Sequence, residues 1–176
     1  IRQVADIVRA MRQFSHPGGR ERTFFDLNAA VRDALLVSRN EWKDVARLVT
    51  ERDPGLPPVC GLPQEMGQVF LNLILNAVHA MPGGGTLRVL TEEDGPEVVL
   101  TVQDTGSGIE PDTLARIFDP FFTTKETGKG LGLGLSISFN IVRDFGGTLW
   151  GRNHPEGGAV FGVDLRAAEG VQEAAE

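Results

Sequence analysis

Pro63-Gln64-Glu65-Met66-Gly67-Gln68-Val69-Phe70-Leu71-Asn72-Leu73-Ile74-Leu75-Asn76-Ala77-Val78-His79-Ala80-Met81 can be read only one way. Proline presets the first turn of a helix and Gly83-Gly84-Gly85 ends the run, so a helix over 63–81 is predicted. Met66, Val69, Phe70, Leu73, Ile74, Ala77 and Val78 form one broad apolar face that another layer must cover. Asn72, Asn76 and His79, spaced by four and three, put three polar side chains on one face of this otherwise apolar element. Burying an amide without a partner costs about 1–3 kcal/mol. Either protein and water satisfy these groups, or a hard cation bridging phosphate oxygens does, since Mg²⁺ takes oxygen ligands.

Upstream, Thr23 to Leu27 reads as a strand, Asn28 as the cap of a helix to about Arg39, and Val45 to Glu51 as a strand. A proline-rich turn over 53–58 and a short strand near Val59 follow. Downstream come a hairpin of Thr86 to Glu92 with Glu97 to Gln103 and a short helix from Asp112 to Ile117. A glycine-rich stretch from Thr123 to Gly134, a helix from Leu135 to Phe145, and a hairpin of Thr148 to Asn153 with Ala159 to Leu165 complete the order. Hairpins with helices between them predict an α/β (α+β) two-layer sandwich with a mixed, mostly antiparallel sheet covered on one face.

The chain has 176 residues, 41% hydrophobic, enough for one core with a short appendage. Seventeen Lys and Arg against 24 Asp and Glu, a net charge of −7, argue against a nucleic-acid surface, so an anionic ligand must be gathered locally. The single Cys60 excludes an internal disulfide and a multi-cysteine zinc site. No apolar run approaches the roughly 18 residues of a membrane span. Ile1, Val4, Val8, Met11 and Phe14 make a helical stripe that suits a partner helix, stops at Ser15-His16-Pro17-Gly18-Gly19, and reads as a piece of a longer chain. The Ala- and Glu-rich tail over 167–176 reads as a frayed end.

Asp104-Thr105-Gly106-Ser107-Gly108-Ile109 follows a predicted strand. A carboxylate beside two glycines suits an ordinary turn, and equally an acceptor where backbone approaches a flat ligand with an exocyclic amine. Gly128-Lys129-Gly130-Leu131-Gly132-Leu133-Gly134 leads into a helix, so its backbone N–H groups can gather an anion, helped by Lys125 and Lys129; a flexible linker is the plainer reading. It lacks the Gly-Lys-Ser/Thr ending of a Walker loop. Phe118, Phe121 and Phe122 lie in a proline-containing loop, as a latch for a mobile lid or as core packing.

In this order the four elements resemble the N, G1, F and G2 boxes of sensor histidine kinases, over residues 23–166. Gly132 to Ser138 with Ile141 to Gly147 is similar to the C4-dicarboxylate-transport sensor kinases and, more loosely, the nitrogen-regulation ones. The resemblance implies a Bergerat-type (GHKL) sandwich binding ATP and Mg²⁺. Asn76 would ligate the metal, with Asn72 and His79 holding that cluster. Asp104 would accept from the adenine amino group, with Gly106, Gly108 and Ile109 shaping the base pocket. Phe118, Thr123, Thr124, Lys125, Gly128, Lys129, Gly130, Leu131, Gly132 and Leu133 would belong to the lid and its latch.

The same resemblance implies residues 1–16 as the end of a dimerisation and phosphoacceptor helix, 17–22 as a linker, 23–166 as the catalytic domain and 167–176 as a tail. It further implies a homodimer through the helical hairpin, a cognate response regulator as partner, and a cytoplasmic position in a membrane-anchored sensor. Two departures qualify it. ATP-hydrolysing relatives carry Glu where this chain has Asn72, and an amide cannot take a proton from water. None of His16, His79 and His154 fits a phosphoacceptor. The expected activity is therefore γ-phosphoryl transfer to a His outside this chain; the competing readings are a nucleotide-binding scaffold and an ATPase or serine kinase of the same fold.

Overall fold

The computed structural model describes residues 21–124 and 132–168. The stripe over 1–16, most of the glycine-rich stretch and most of the tail lie outside the described residues. The order is β1 (Thr23–Phe25), α1 (Leu27–Val37), α2 (Arg39–Trp42), β2 (Ala46–Arg52), β3 (Val59–Gly61), α3 (Pro63–His79), β4 (Gly85–Asp94), β5 (Glu97–Gln103), α4 (Pro111–Leu114), α5 (Gly134–Asp144), β6 (Thr148–Asn153) and β7 (Ala159–Arg166).

Five strands form one sheet in the order β2-β4-β5-β7-β6, and β1 pairs β3 separately. Among the described residues only β2 and β4 run parallel; the other pairings are antiparallel, as the mixed pattern predicts. Alternation along β5 sends Val98, Leu100 and Val102 to the face that the helices cover. Leu100 sits opposite Val163, and Val163 opposite Leu149, so one apolar row crosses three strands on that face. Helix α3 packs between α1 and α5, and all seven apolar residues of its predicted stripe are buried. The other sheet face carries polar pairs: Arg88 pairs with Glu51 at 2.7 Å, and the Trp150 indole donates to Asp164 at 3.0 Å.

Two local expectations are corrected. Asp26, not Asn28, caps α1: its Oδ1 accepts from the Asn28 N–H at 2.8 Å, which ends β1 at Phe25. The Asn28 side chain instead ties α1 to the sheet, donating to the Asp53 carbonyl at 2.7 Å and accepting from the Thr91 hydroxyl at 2.7 Å. Helix α2, too short for periodicity to reveal, is held where Trp42 Nε1 donates to the Leu35 carbonyl at 2.9 Å. At the far end, Ala167 and Ala168 donate to the Pro96 and Pro58 carbonyls, so the chain is anchored two residues past β7. Leu73 is 0% exposed at the centre of α3. Leu73→Ala is expected to lower unfolding free energy by about 2–5 kcal/mol, read from urea melts, with the m-value retained.

Candidate functional site

A cleft of about 780 Å³ opens between α3, the β5–α4 loop and the N-terminus of α5. That is within the roughly 300–1,000 Å³ of small-molecule sites. Asn72, Asn76 and His79 line one wall, as their spacing predicts, and Gln68 joins them. Gln68 was missed, although it stands one further turn back from Asn72 on the same face.

The two asparagines do different things. Asn72 Nδ2 donates to the Gly134 carbonyl at 3.3 Å and to Ser138 Oγ at 3.1 Å. A carbonyl can only accept, so the amide nitrogen must face α5, and Asn72 fastens the start of that helix to α3. The Asn76 side chain, half-buried in the cleft wall, has no hydrogen bond among the described residues. A carboxamide oxygen there, with no competing donor, is a ligand for a hard cation. No group of three His, Cys, Asp or Glu among the described residues could hold a metal, so a cation here would draw its other ligands from a bound anion and water.

Asp104 closes the opposite end and is 2% exposed. Its Oδ1 accepts from the Gly106 N–H at 2.8 Å and from the Ala159 N–H at 3.3 Å. Burial raises its pKa above the ordinary 3.8, and the two backbone bonds pull the other way. No described residue donates to Oδ2, and no buried side-chain oxygen among the described residues lacks a partner. Oδ2 therefore keeps its opening to the cleft, as an acceptor backed by low dielectric. Gly158, at φ +82°, lies against the Asp104 carbonyl, where any Cβ would collide, which lets the β6–β7 turn press onto this residue.

Between these poles the walls are apolar: Ile117, Leu133, Ile137, Ala159 and Phe161 line the cleft. Gly108 and Ile109 line it too, beside Ser107 and Glu110, while Gly106 turns against the Ala80 carbonyl and does not. Thr123, Thr124, Gly132 and Leu133 stand at the rim near the N-terminus of α5, which no side chain among the described residues caps. Its orphan N–H groups favour an anion. Lys125, Gly128, Lys129, Gly130 and Leu131 lie outside the described residues.

The three phenylalanines part company. Phe118 stacks on Phe139, centroids 5.2 Å apart, behind the wall rather than in the cleft. Phe122 lines the cleft under the Arg116 guanidinium, 4.5 Å above its ring, and Phe121 is 72% exposed at φ +63°.

The cleft thus has a carboxylate acceptor at one end, apolar walls between, and, among the described residues, an unpaired amide oxygen with uncapped helix N–H groups at the other. The model for the histidine kinase-, DNA gyrase B- and HSP90-like ATPases matches residues 61–169. The chain belongs to that family. Sensor kinase CckA of Brucella abortus is 36% identical over 179 aligned positions, which cover 93% of this chain and 19% of that protein. The C4-dicarboxylate transport sensor protein DctB of Pseudomonas aeruginosa is 36% identical over 168, covering 93% of this chain and 27% of its own length. The chain thus spans less than a third of these curated relatives. Among solved structures, the catalytic domain of histidine kinase ThkA superposes with a TM-score of 0.75 at 30% identity, covering 84% of this chain and 99% of that one. The same kinase in complex with the response regulator TrrA matches at 0.79 and 27%, over 94% of this chain and 48% of that one. The fold is that of a histidine kinase catalytic domain, and an ATPase domain of this family implies an ATP site.

Asp104→Asn keeps an Oδ1 acceptor for both backbone donors and removes a desolvated charge. Because the folded-state pKa is raised, the native protein binds its proton more tightly than the unfolded chain, and wild-type stability falls as pH rises from 3.8 through the folded value. At neutral pH the variant is expected to melt at or above the wild-type temperature. Melts from about pH 4 to pH 8 should show that advantage shrinking as the wild-type carboxyl takes up its proton.

Proposed function

We propose that this chain holds Mg²⁺-ATP in the cleft and presents its γ-phosphoryl group to a histidine on a helical hairpin that dimerises in the whole protein. The observation that carries this reading is the convergence of Asp104, Asn76 and the uncapped start of α5, from three distant stretches, on one cleft. In this reading Asp104 Oδ2 accepts from the adenine amino group, while Ile117 and Phe161 exclude water from the base. Asn76 would hold Mg²⁺, which supplies charge neutralisation of the phosphate oxygens when bound. The N–H groups at the start of α5 and the lid residues would cradle those oxygens, and positioning with charge stabilisation does most of the work.

Transfer breaks the bond from the bridging oxygen to the γ-phosphorus and forms a histidine N–P bond, with ADP leaving. Two features favour an external nucleophile over water. Position 72 is an amide, and its nitrogen is committed to Gly134 and Ser138. The only carboxylates lining the cleft among the described residues, Asp104 and Glu110, both belong to the β5–α4 loop rather than α3. By the same reading the phosphoryl group passes on to a cognate response regulator, and the domain works on the cytoplasmic side of a membrane-anchored sensor. ThkA, solved with its response regulator, supports that partner.

Calorimetry tests the nucleotide assignment. ATP is expected to bind more tightly with Mg²⁺ than without, and Asn76→Ala should remove only that metal-dependent gain. Asp104→Ala should weaken ATP at least about tenfold with or without metal, the loss of one charged hydrogen bond. Labelled ATP supplied with a separately made phosphoacceptor hairpin should label its histidine. Steady phosphate release by the domain alone would instead favour an ATPase.

A further inference from the structure

The Asn153 side chain, at the end of edge strand β6, makes both of its hydrogen bonds to one backbone unit 44 residues earlier. Its Oδ1 accepts from the Ile109 N–H at 2.7 Å, and its Nδ2 donates to the Ile109 carbonyl at 2.7 Å. A carboxamide offers one acceptor and a donor side by side in a plane, so it pairs with the N–H and C=O of one residue as a neighbouring strand would. Ile109 lines the cleft, and Gly108, at φ +76°, packs so that an added Cβ would stand 3.0 Å from Asn153 Oδ1.

The register makes this more than a surface contact. Asn153 is paired across β6 and β7 with Ala159. Ala159 donates to Asp104 Oδ1 and accepts from the Asp104 N–H at 3.0 Å. One rung of the hairpin therefore holds both ends of the β5–α4 loop: Asp104 through backbone, Ile109 through side chain. The turn between them is closed by the His154 N–H on the Gly158 carbonyl at 2.9 Å.

We infer that Asn153 is a positioning residue of the nucleotide site, holding the backbone of Gly108 and Ile109 at the distance from Asp104 that the adenine end requires. This rests on the reading of the cleft as an ATP site. Asn153 is itself exposed and does not line the cleft, so it acts through Ile109 rather than on the ligand. Other side chains do not substitute: aspartate has acceptors only and would face the Ile109 carbonyl with like polarity, and alanine leaves both groups of the unit to water.

The test titrates wild type, Asn153→Ala and Asn153→Asp with ATP and with ADP, each with and without Mg²⁺, alongside melts without nucleotide and amide exchange at Ile109. Both variants are expected to weaken ATP and ADP by the same factor, about tenfold, the cost of losing both hydrogen bonds to the Ile109 backbone. The gain in affinity on adding Mg²⁺ should persist, since the phosphate end is untouched. The melting temperature without nucleotide should stay close to wild type, and Ile109 should exchange faster. Wild-type affinity in both variants, or a loss confined to ATP, overturns the inference. So does a loss that merely tracks a lowered melting temperature, which would make Asn153 a fold residue. If wild type binds neither nucleotide, the ATP reading fails, and with it a positioning role in that site, whatever the exchange at Ile109.

Discussion

A carboxylate that is 2% exposed must be given hydrogen bonds, and the site is organised around meeting that requirement at Asp104. The donors come from two places far apart in the chain: the loop just after β5 and the first residue of β7. To bring them together, Gly158 must lie flat on the Asp104 backbone and Gly106 must nest against the end of α3. The hairpin and the loop are thereby joined at one atom beside the end of α3, with the companion oxygen left for a ligand.

At the other end of the cleft the logic is inverted. Among the described residues, nothing satisfies the side-chain amide of Asn76 and no side chain caps the donors in the first turn of α5. Such groups are tolerated at the edge of a solvated cleft and are answered by a charged ligand. Asn72 stands between the two regimes. Its nitrogen braces α5 against α3, so the helix whose N-terminus would meet phosphate is held to the helix whose amide would meet the metal.

Much of this was legible before any coordinates. The seven apolar residues of α3 had to be buried together because they recur at helical spacing, and Asn72, Asn76 and His79 had to share a face for the same reason. Short-range chemistry was less reliable. Asp26 and Asn28 are both good caps, and only the direction of the chain leaving β1 decides between them. Phe118 and Phe122 look equivalent in sequence, yet one stacks behind the wall on Phe139 and the other lines the cleft.

The sequence alone determined which residues are polar on an apolar helix, where glycines interrupt the strands, and hence the fold class and the identity of the groups available to a nucleotide. Periodicity and turn chemistry are local properties, carried within a few residues. The tertiary structure decided which groups meet: Asp104 with Ala159, Asn72 with Ser138, Asn153 with Ile109. Those pairings span 44 to 66 residues and follow from sheet order and register, which depend on the whole core packing at once and leave no local mark in the chain.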